Sequence, residues 1–272
     1  MKAIVTGDKG LVGGASVKAL LSMGLEVHGI DNNIRESLFS DINKITNEKK
    51  DKPNMYKEHS FDLRDREQLN KLAKKLSSEG LEIVVHCAAQ PSHDWASDHP
   101  FDDFELNAQV TLNICEALRK YSSETMIVHL STNKVYGDTP NKLKLIELET
   151  RYELNNSDEY YQGINESMSI DGSLHSLFGV SKIAADLYVQ EYCRHFGIPA
   201  VILRGGCLTG PKHRGAMLHG FMNYLIKCAL NKKEYIVMGY KGKQVRDNLH
   251  ADDIGELIKK IYIGHKNGEN NA

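Results

Sequence analysis

The chain has no apolar run long enough to span a bilayer, no Cys-x-x-Cys spacing and no excess of either charge. The first absence argues against a helical membrane protein. The second argues against a zinc ribbon or a disulfide scaffold. Five cysteines, Cys87, Cys115, Cys193, Cys207 and Cys228, lie scattered, and their odd number fits reduced thiols. The third argues against nucleic acid as a partner, because 34 Lys+Arg against 36 Asp+Glu leave a net charge of −2. The opening residues, Met1 to Val5, carry one lysine and too short an apolar stretch for a secretory leader. The expectation is a cytoplasmic protein with no membrane or nucleic-acid partner.

What is present is an alternation of strand and helix signals. Lys2–Thr6, Glu26–Asp31, Ile83–Cys87, Met126–Ser131 and Ala200–Leu203 are short apolar runs. Between them, Leu11–Met23, Asp65–Ser77, Phe101–Tyr121 and Leu177–Phe196 read as helices, with apolar residues at helical spacing. Strands separated by helices predict an α/β protein with a parallel sheet covered on both faces. Two polar stretches, 32–57 and 137–173, read as a loop insertion and as a segment draped over the site's mouth.

The segment Thr6-Gly7-Asp8-Lys9-Gly10-Leu11-Val12-Gly13 follows a strand directly and opens a helix. In that setting Gly7 permits a tight turn, Gly10 lets backbone amides approach a pyrophosphate, and Gly13 permits close helix–strand packing. The helix N-terminus, at Leu11 and Val12, then faces the phosphates. Asp31, followed by Asn32, closes the second strand about 20 residues further on, where a carboxylate accepts hydrogen bonds from an adenosine ribose. A carboxylate there repels a 2′-phosphate, so NAD is favoured over NADP, although Arg35 nearby leaves NADP open. The fold expected is a Rossmann-like doubly wound parallel sheet.

Together with Ser131-Thr132-Asn133-Lys134-Val135-Tyr136-Gly137-Asp138 and Gly242-Lys243-Gln244-Val245-Arg246-Asp247-Asn248-Leu249-His250, this glycine spacing resembles the extended short-chain dehydrogenase/reductases. Within them it resembles the NAD-dependent nucleotide-sugar epimerase/dehydratase family, in its CDP-sugar 2-epimerase branch, over almost the whole chain. The resemblance implies NAD as cofactor, a nucleotide diphosphate sugar as substrate, and epimerisation by transient oxidation and re-reduction of the sugar. It places Asp62 and Leu63 beside the adenine, and Ala88, Ala89 and Gln90 under the pyrophosphate and nicotinamide ribose. Asn107 falls in the long helix as a structural or cofactor-side residue, and a satisfied hydrogen bond within the fold serves equally well there. Thr132 takes the place of the family's catalytic Ser/Thr, and Lys182 that of the lysine holding the nicotinamide ribose. Asn133 and Lys134 stand where dehydratases carry Asp and Glu, which argues against 4,6-dehydration.

The same resemblance assigns residues 1–178, continued through 179–203, to an NAD-binding domain, and 204–272 mainly to a small substrate domain that stops where relatives continue. Substrate contacts are expected from Arg204, Lys212 and Arg214, and from Arg246 assisted by Gln244, a guanidinium suiting phosphate. His250, Asp252 and Asp253 match a polar scaffold stretch, and no metal is expected. The helices at 101–121 and 177–196 resemble the family's dimer pair, so a homodimer is expected.

One position departs from the pattern. Ser176-Leu177-Phe178-Gly179-Val180-Ser181-Lys182 has the layout of the family's Tyr-x-x-x-Lys pair, with phenylalanine in the tyrosine's place. Residues four apart share a helix face, so Phe178 and Lys182 address one site. A phenyl ring cannot exchange a proton, and loss of a positioned acid/base typically costs ~10²–10⁴ in rate. Three readings follow. Another residue supplies the proton transfer, with Tyr136 and His175 ahead of Tyr161 and Cys207; or a tyrosine has been exchanged to trap a substrate; or the chain binds NAD and a nucleotide sugar without turnover. A nucleotide-sugar oxidoreductase or dehydratase is the remaining enzymatic alternative.

Overall fold

In the first strand, β1 (Lys2–Thr6), Ala3 and Val5 enter one apolar layer and Ile4 between them enters another. A strand apolar on both faces belongs inside a sheet covered twice, and that is its place in the computed structural model, which describes residues 1–34, 53–211, 213 and 220–269. Arg35, Lys212 and Arg214 lie outside the described residues.

The chain continues through α1 (Leu11–Ser22), β2 (Glu26–Ile30), β3 (Tyr56–His59), α2 (Arg66–Ser78) and β4 (Leu81–His86). Then come α3 (His93–Asp98), α4 (Pro100–Phe104), a π turn (Glu105–Gln109), α5 (Val110–Tyr121) and β5 (Met126–Thr132). A hairpin of β6 (Leu145–Glu147) and β7 (Tyr152–Leu154) precedes α6 (Ser176–Phe196) and β8 (Ala200–Gly205). Last are β9 (Cys207–Thr209), α7 (Phe221–Leu230), β10 (Asn248–His250) and α8 (Ala251–Lys266). The main sheet runs β3-β2-β1-β4-β5-β8, all pairs parallel. Its order reverses between β1 and β4, the switch point at which such sheets open a crevice for ligands.

The alternation seen in β1 repeats across the sheet. Ile83, Val85, Met126 and Val128 join Leu20 of α1 and Ile254 and Ile258 of α8 on one face. Val84 and Ile127 join Leu72 and Leu76 of α2, Ile114 and Leu118 of α5, and Val189 of α6 on the other. Full burial of each such leucine or isoleucine stabilises by ~1.5–3 kcal/mol. Local signals set the ends of these elements. Asp65 caps α2 by accepting from the Glu67 and Gln68 amides, and Gly197, at φ +70°, closes α6.

Two expectations need correcting, and one gains detail. The polar stretch expected as a loop from 32 to 57 gives way at Tyr56 to β3, an edge strand whose Lys57 and Glu58 face solvent. The helix expected over 101–121 runs without a break from Pro100 to Tyr121, with the π turn inside it. The draped segment 137–173 contains the β6–β7 hairpin, with strands too short to show alternation. The helix α8 returns from the C-terminal portion to pack on α1. Among the described residues, no helix is long and apolar enough to cross a membrane.

Candidate active site

The loops leaving β1 and β4 are pressed together at the switch point. A Cβ on Gly7, whose φ is +64°, would stand 2.9 Å from the backbone of Ala88. One on Gly13 would stand 2.1 Å from the Gly7 carbonyl oxygen, and the Gly10 amide donates to that same oxygen at 2.9 Å. Side chains are thus excluded from the mouth of α1, leaving backbone amides and Leu11 and Val12 at a helix N-terminus. This cradle fits a pyrophosphate. Thr6 fixes the second loop: its hydroxyl oxygen accepts from the Ala88 amide at 3.1 Å and bonds His86 Nδ1 at 2.7 Å. His86 is buried, and burial pushes its imidazole down to about 3, so it stays neutral.

At the end of β2, Asp31 accepts from the Asn33 amide at 2.7 Å and from the Lys9 amide of the glycine loop at 3.3 Å. Asn32 donates to Asp62 at 2.9 Å, and Asp62 also takes two nitrogens of Arg64. Leu63 is buried in the adjoining layer. Asp31, Asn32 and Asp62 are thus held together beside the glycine loop, with Leu63 buried behind them. Asp8, inside the glycine loop, is buried; its Oδ2 accepts from the Tyr56 hydroxyl, and burial raises its carboxyl.

Beyond Ala88 and Ala89, Gln90 is buried and fully committed. Its Nε2 donates to Asp103 and to the Ser92 carbonyl, both at 2.8 Å, and its Oε1 accepts from the Ser92 amide. Asn107, in the π turn, accepts from the Gln90 amide and donates to Asp103 and to Ser181, each at 3.0 Å or less. Asn107 is thus a hub joining the loop after β4 to α6.

On α6, Phe178 is 7 % exposed, and Lys182 one turn on is buried with Nζ donating to the Leu130 carbonyl at 2.8 Å. Burial brings the Lys182 ammonium down to about 8. Thr132 ends β5, and its hydroxyl accepts from the Lys134 amide at 3.2 Å, capping the turn there. Tyr136 is buried, its hydroxyl accepting from Arg204 Nη1 at 3.0 Å. Arg204 in turn pairs with Asp186 and lies 5.2 Å over the Tyr136 ring, so its guanidinium is committed within the protein. His175 bonds the Ile170 carbonyl through Nε2 at 2.8 Å. Tyr136 and His175 are thus both tied to partners within the protein.

A residue that the sequence did not single out stands against the Phe178 ring. His93, the first residue of α3, meets Phe178 edge to face at 4.7 Å between centroids, and its Nδ1 lies 2.9 Å from Ser176 Oγ. Its place three residues after Gln90, in a loop at the crevice, is the one signal that could have marked it. Away from this cluster, Arg246 is exposed and donates to Gln244, whose amide reaches the Met238 carbonyl. His250 caps α8 by accepting from the Asp252 amide at 3.2 Å, and Asp252 faces Lys18 at 3.7 Å.

An open parallel sheet with a side-chain-free cradle at its switch point defines a dinucleotide-binding α/β protein. Residues 3–271 match the model of the NAD dependent epimerase/dehydratase family, and the chain belongs to that family. It is 32% identical to the CDP-paratose 2-epimerase of Salmonella typhi over 262 residues, covering 94% of this chain and 73% of that protein. A putative UDP-glucose 4-epimerase of Methanocaldococcus jannaschii is 26% identical, over 93% of this chain and 70% of its own. Among solved structures, the Thermus thermophilus UDP-glucose 4-epimerase complex with NAD superposes with a TM-score of 0.72 at 25% identity, covering 96% and 74% of the two chains.

Proposed function

We propose that the protein is an NAD-dependent nucleotide-sugar epimerase, acting on a CDP-hexose or another nucleotide diphosphate hexose. The observation that carries this reading is the cradle of Gly7, Gly10 and Gly13 beside Asp31, with Lys182 buried across the crevice. NAD, when bound, supplies a two-electron oxidant that is regenerated once the sugar carbon is reduced again. The chain does the rest. Backbone amides at the start of α1 hold the pyrophosphate, and Asp31 holds the adenosine ribose. Asp62 and Leu63 flank the adenine, with Asn32 fixed by Asp62. Lys182 keeps a positive charge under the nicotinamide end below about pH 8. Thr132 presents its hydroxyl to the sugar from the carboxyl end of β5, where ligands bind in such sheets.

Arg246 with Gln244 grips the nucleotide's phosphates, its exposed guanidinium being free of the close pairing that occupies Arg204. Arg204 shapes the pocket by holding Tyr136. Residues 204–250 form most of the substrate side, and α8 belongs to the core. Asn133 and Lys134 stand on the turn after β5 with no acidic pair for dehydration. The chain works as a cytoplasmic homodimer through the exposed apolar face of α6.

The test is incubation with CDP-, UDP-, GDP- and dTDP-hexoses, followed by NMR of the sugar and absorbance at the reduced-nicotinamide band. Epimer without net reduced cofactor is expected. Net reduction would make the protein an oxidoreductase. Because Phe178 carries no ionisable group, a second outcome is specific: tight binding of NAD and sugar nucleotide without turnover would make it a binding protein.

A further inference from the structure

We propose that His93 is the acid/base of this site, exchanging a proton between its Nε2 and the sugar hydroxyl in the role that phenylalanine at 178 cannot fill. The inference rests on the epimerase reading above. Its first support is position. The imidazole packs edge to face on the Phe178 ring at 4.7 Å, so it borders the face that Phe178 and Lys182 share. The second is orientation. Ser176 Oγ lies 2.9 Å from Nδ1 and also accepts from the Gly179 amide at 3.3 Å. While that amide donates to it, the hydroxyl oxygen has a second lone pair that can accept Nδ1–H, and in that tautomer Nε2 carries the free lone pair. Among the described residues Nε2 has no hydrogen-bond partner.

Ser176 holds this geometry from a left-handed backbone, φ +63°, a conformation that a non-glycine residue adopts only under constraint. The third support is rigidity. Ser92 caps α3 by accepting from the Trp95 amide at 3.2 Å, and the buried Gln90–Asp103–Asn107 cluster fixes the loop that delivers His93. The charged groups around the ring are Lys134 from the turn after β5, Asp94 on its own helix, and Asp103 from α4. Burial first, then Lys134, holds the imidazole below its ordinary range against the two carboxylates, so it is neutral near pH 7 and ready to accept. Tyr136 and His175, by contrast, are tied to Arg204 and to backbone carbonyls.

The step balances. The sugar O–H bond breaks, its proton forms an N–H bond at Nε2, and the carbon's hydrogen leaves with its electron pair to the nicotinamide oxidant, giving a keto sugar. On return the same electron pair and hydrogen reach the opposite face of the carbon, and imidazolium gives its proton back to the oxygen. Nothing is consumed. Ser176 is a positioning residue in this scheme.

Two measurements test it on the full chain. In single turnover with the hexose panel, His93→Gln is expected to lower sugar oxidation by ~10²–10⁴ with NAD affinity within about threefold. Adding Phe178→Tyr to that variant is expected to restore at least about tenfold, since a phenol regains the missing proton carrier. A His93→Gln protein that keeps NAD affinity and stays within about threefold of the parent in rate overturns the proposal. The second measurement needs no turnover. Histidine nitrogen NMR of the parent protein with NAD at pH 7.5 is expected to show His93 neutral with its proton on Nδ1, and Ser176→Ala to lose that preference. A proton on Nε2 instead overturns the proposal. If no hexose is turned over, the epimerase reading fails, and the tautomer alone decides the assignment of His93. It decides likewise if His93→Gln loses NAD.

Discussion

Arg204 spans Asp186 with two hydrogen bonds, Nε to Oδ2 and Nη2 to Oδ1, each 3.0 Å long. The aspartate side chain is 1% exposed and the arginine 15%. Burial pushes the Asp186 carboxyl up, but Arg204 and then Ser131, donating at 2.6 Å, hold it below the ordinary range. The pair also carries Tyr136, so it braces β8 against α6 and the turn after β5 at once.

Removing one partner of such a pair leaves an uncompensated charge. Arg204→Met is expected to destabilise the protein by ~3–5 kcal/mol in urea unfolding at pH 7. Arg204→Met with Asp186→Leu is expected to recover most of that loss, because neither member of the pair is left facing the other's absence. If the single variant kept its stability but lost nucleotide-sugar affinity, the guanidinium would be a phosphate ligand instead.

Gly13 makes a second, purely steric prediction. Its Cβ would overlap the Gly7 carbonyl oxygen at 2.1 Å, and both atoms belong to backbone that cannot swing aside. Gly13→Ala is expected to cost ~1–3 kcal/mol of stability and to weaken NAD binding by about 100-fold or more, of the order of two lost hydrogen bonds. Calorimetric titration with NAD reads the affinity. Gly264→Ala is the control with the opposite sign. It lies within α8, where the nearest contact is the flexible Glu269 carboxylate at 3.3 Å, and alanine favours a helix by ~1 kcal/mol.

These residues show why some of the molecule was legible in sequence and some was not. Gly7, Gly10 and Gly13 are demanded by backbone contacts within a few residues of each other and across one loop, so glycine itself records the constraint. The strands β1, β4 and β5 were legible because both faces are buried. The edge strand β3, Tyr-Lys-Glu-His, has two charged residues in four and leaves no such trace. Arg204 was legible as a cation, but Asp186, which claims it, comes from another element. His93 meets Ser176 across 83 residues of chain, through the packing of α3 on α6. Neither local propensity nor motif spacing records a contact of that kind.

The exposed face of α6 carries the prediction on assembly. Ala184, Leu187, Tyr188, Tyr192 and Phe196 follow helical spacing along one stripe, and Leu187, Tyr188 and Phe196 are each at least 40% exposed. Leu177 and, from α4, Phe101 add to the apolar surface, the latter 85% exposed. In a two-fold dimer each residue acts twice. Tyr188→Glu is therefore expected to weaken self-association by about 10³-fold, from ~2 kcal/mol per copy of an anchoring tyrosine. Light scattering should show a monomer with unchanged circular dichroism. A parent protein that is already monomeric would refute the assembly.

Acid stability tests the buried histidines. His86 is held down to about 3 by burial, and His129 is pushed well below the ordinary 6.5 by burial and then by the Lys182 charge. The unfolded chain protonates both near 6.5 while the folded chain does not. Their contribution is thus complete above about pH 6.5 and is lost as pH falls, by ~1.4 kcal/mol per pH unit for each. His28, His59 and His93, also lowered by burial, add in the same sense. Asp8 and Asp103, raised by burial, work the other way at lower pH, and Glu26 and Asp138, held down to about 2, lose their contribution as pH falls from the ordinary carboxylate range toward that value. The limb from pH 6.5 to 5 therefore reports histidines. His129 is 1% exposed, and neither ring nitrogen has a hydrogen-bond partner among the described residues. His129→Leu removes both unpaired nitrogens and one titrating site. Urea midpoints by circular dichroism should be unchanged or higher at pH 7.5, with a slope below pH 6.5 shallower by ~1.4 kcal/mol per unit. An unaltered slope would mean that His129 takes up its proton in the folded chain as readily as in the unfolded one.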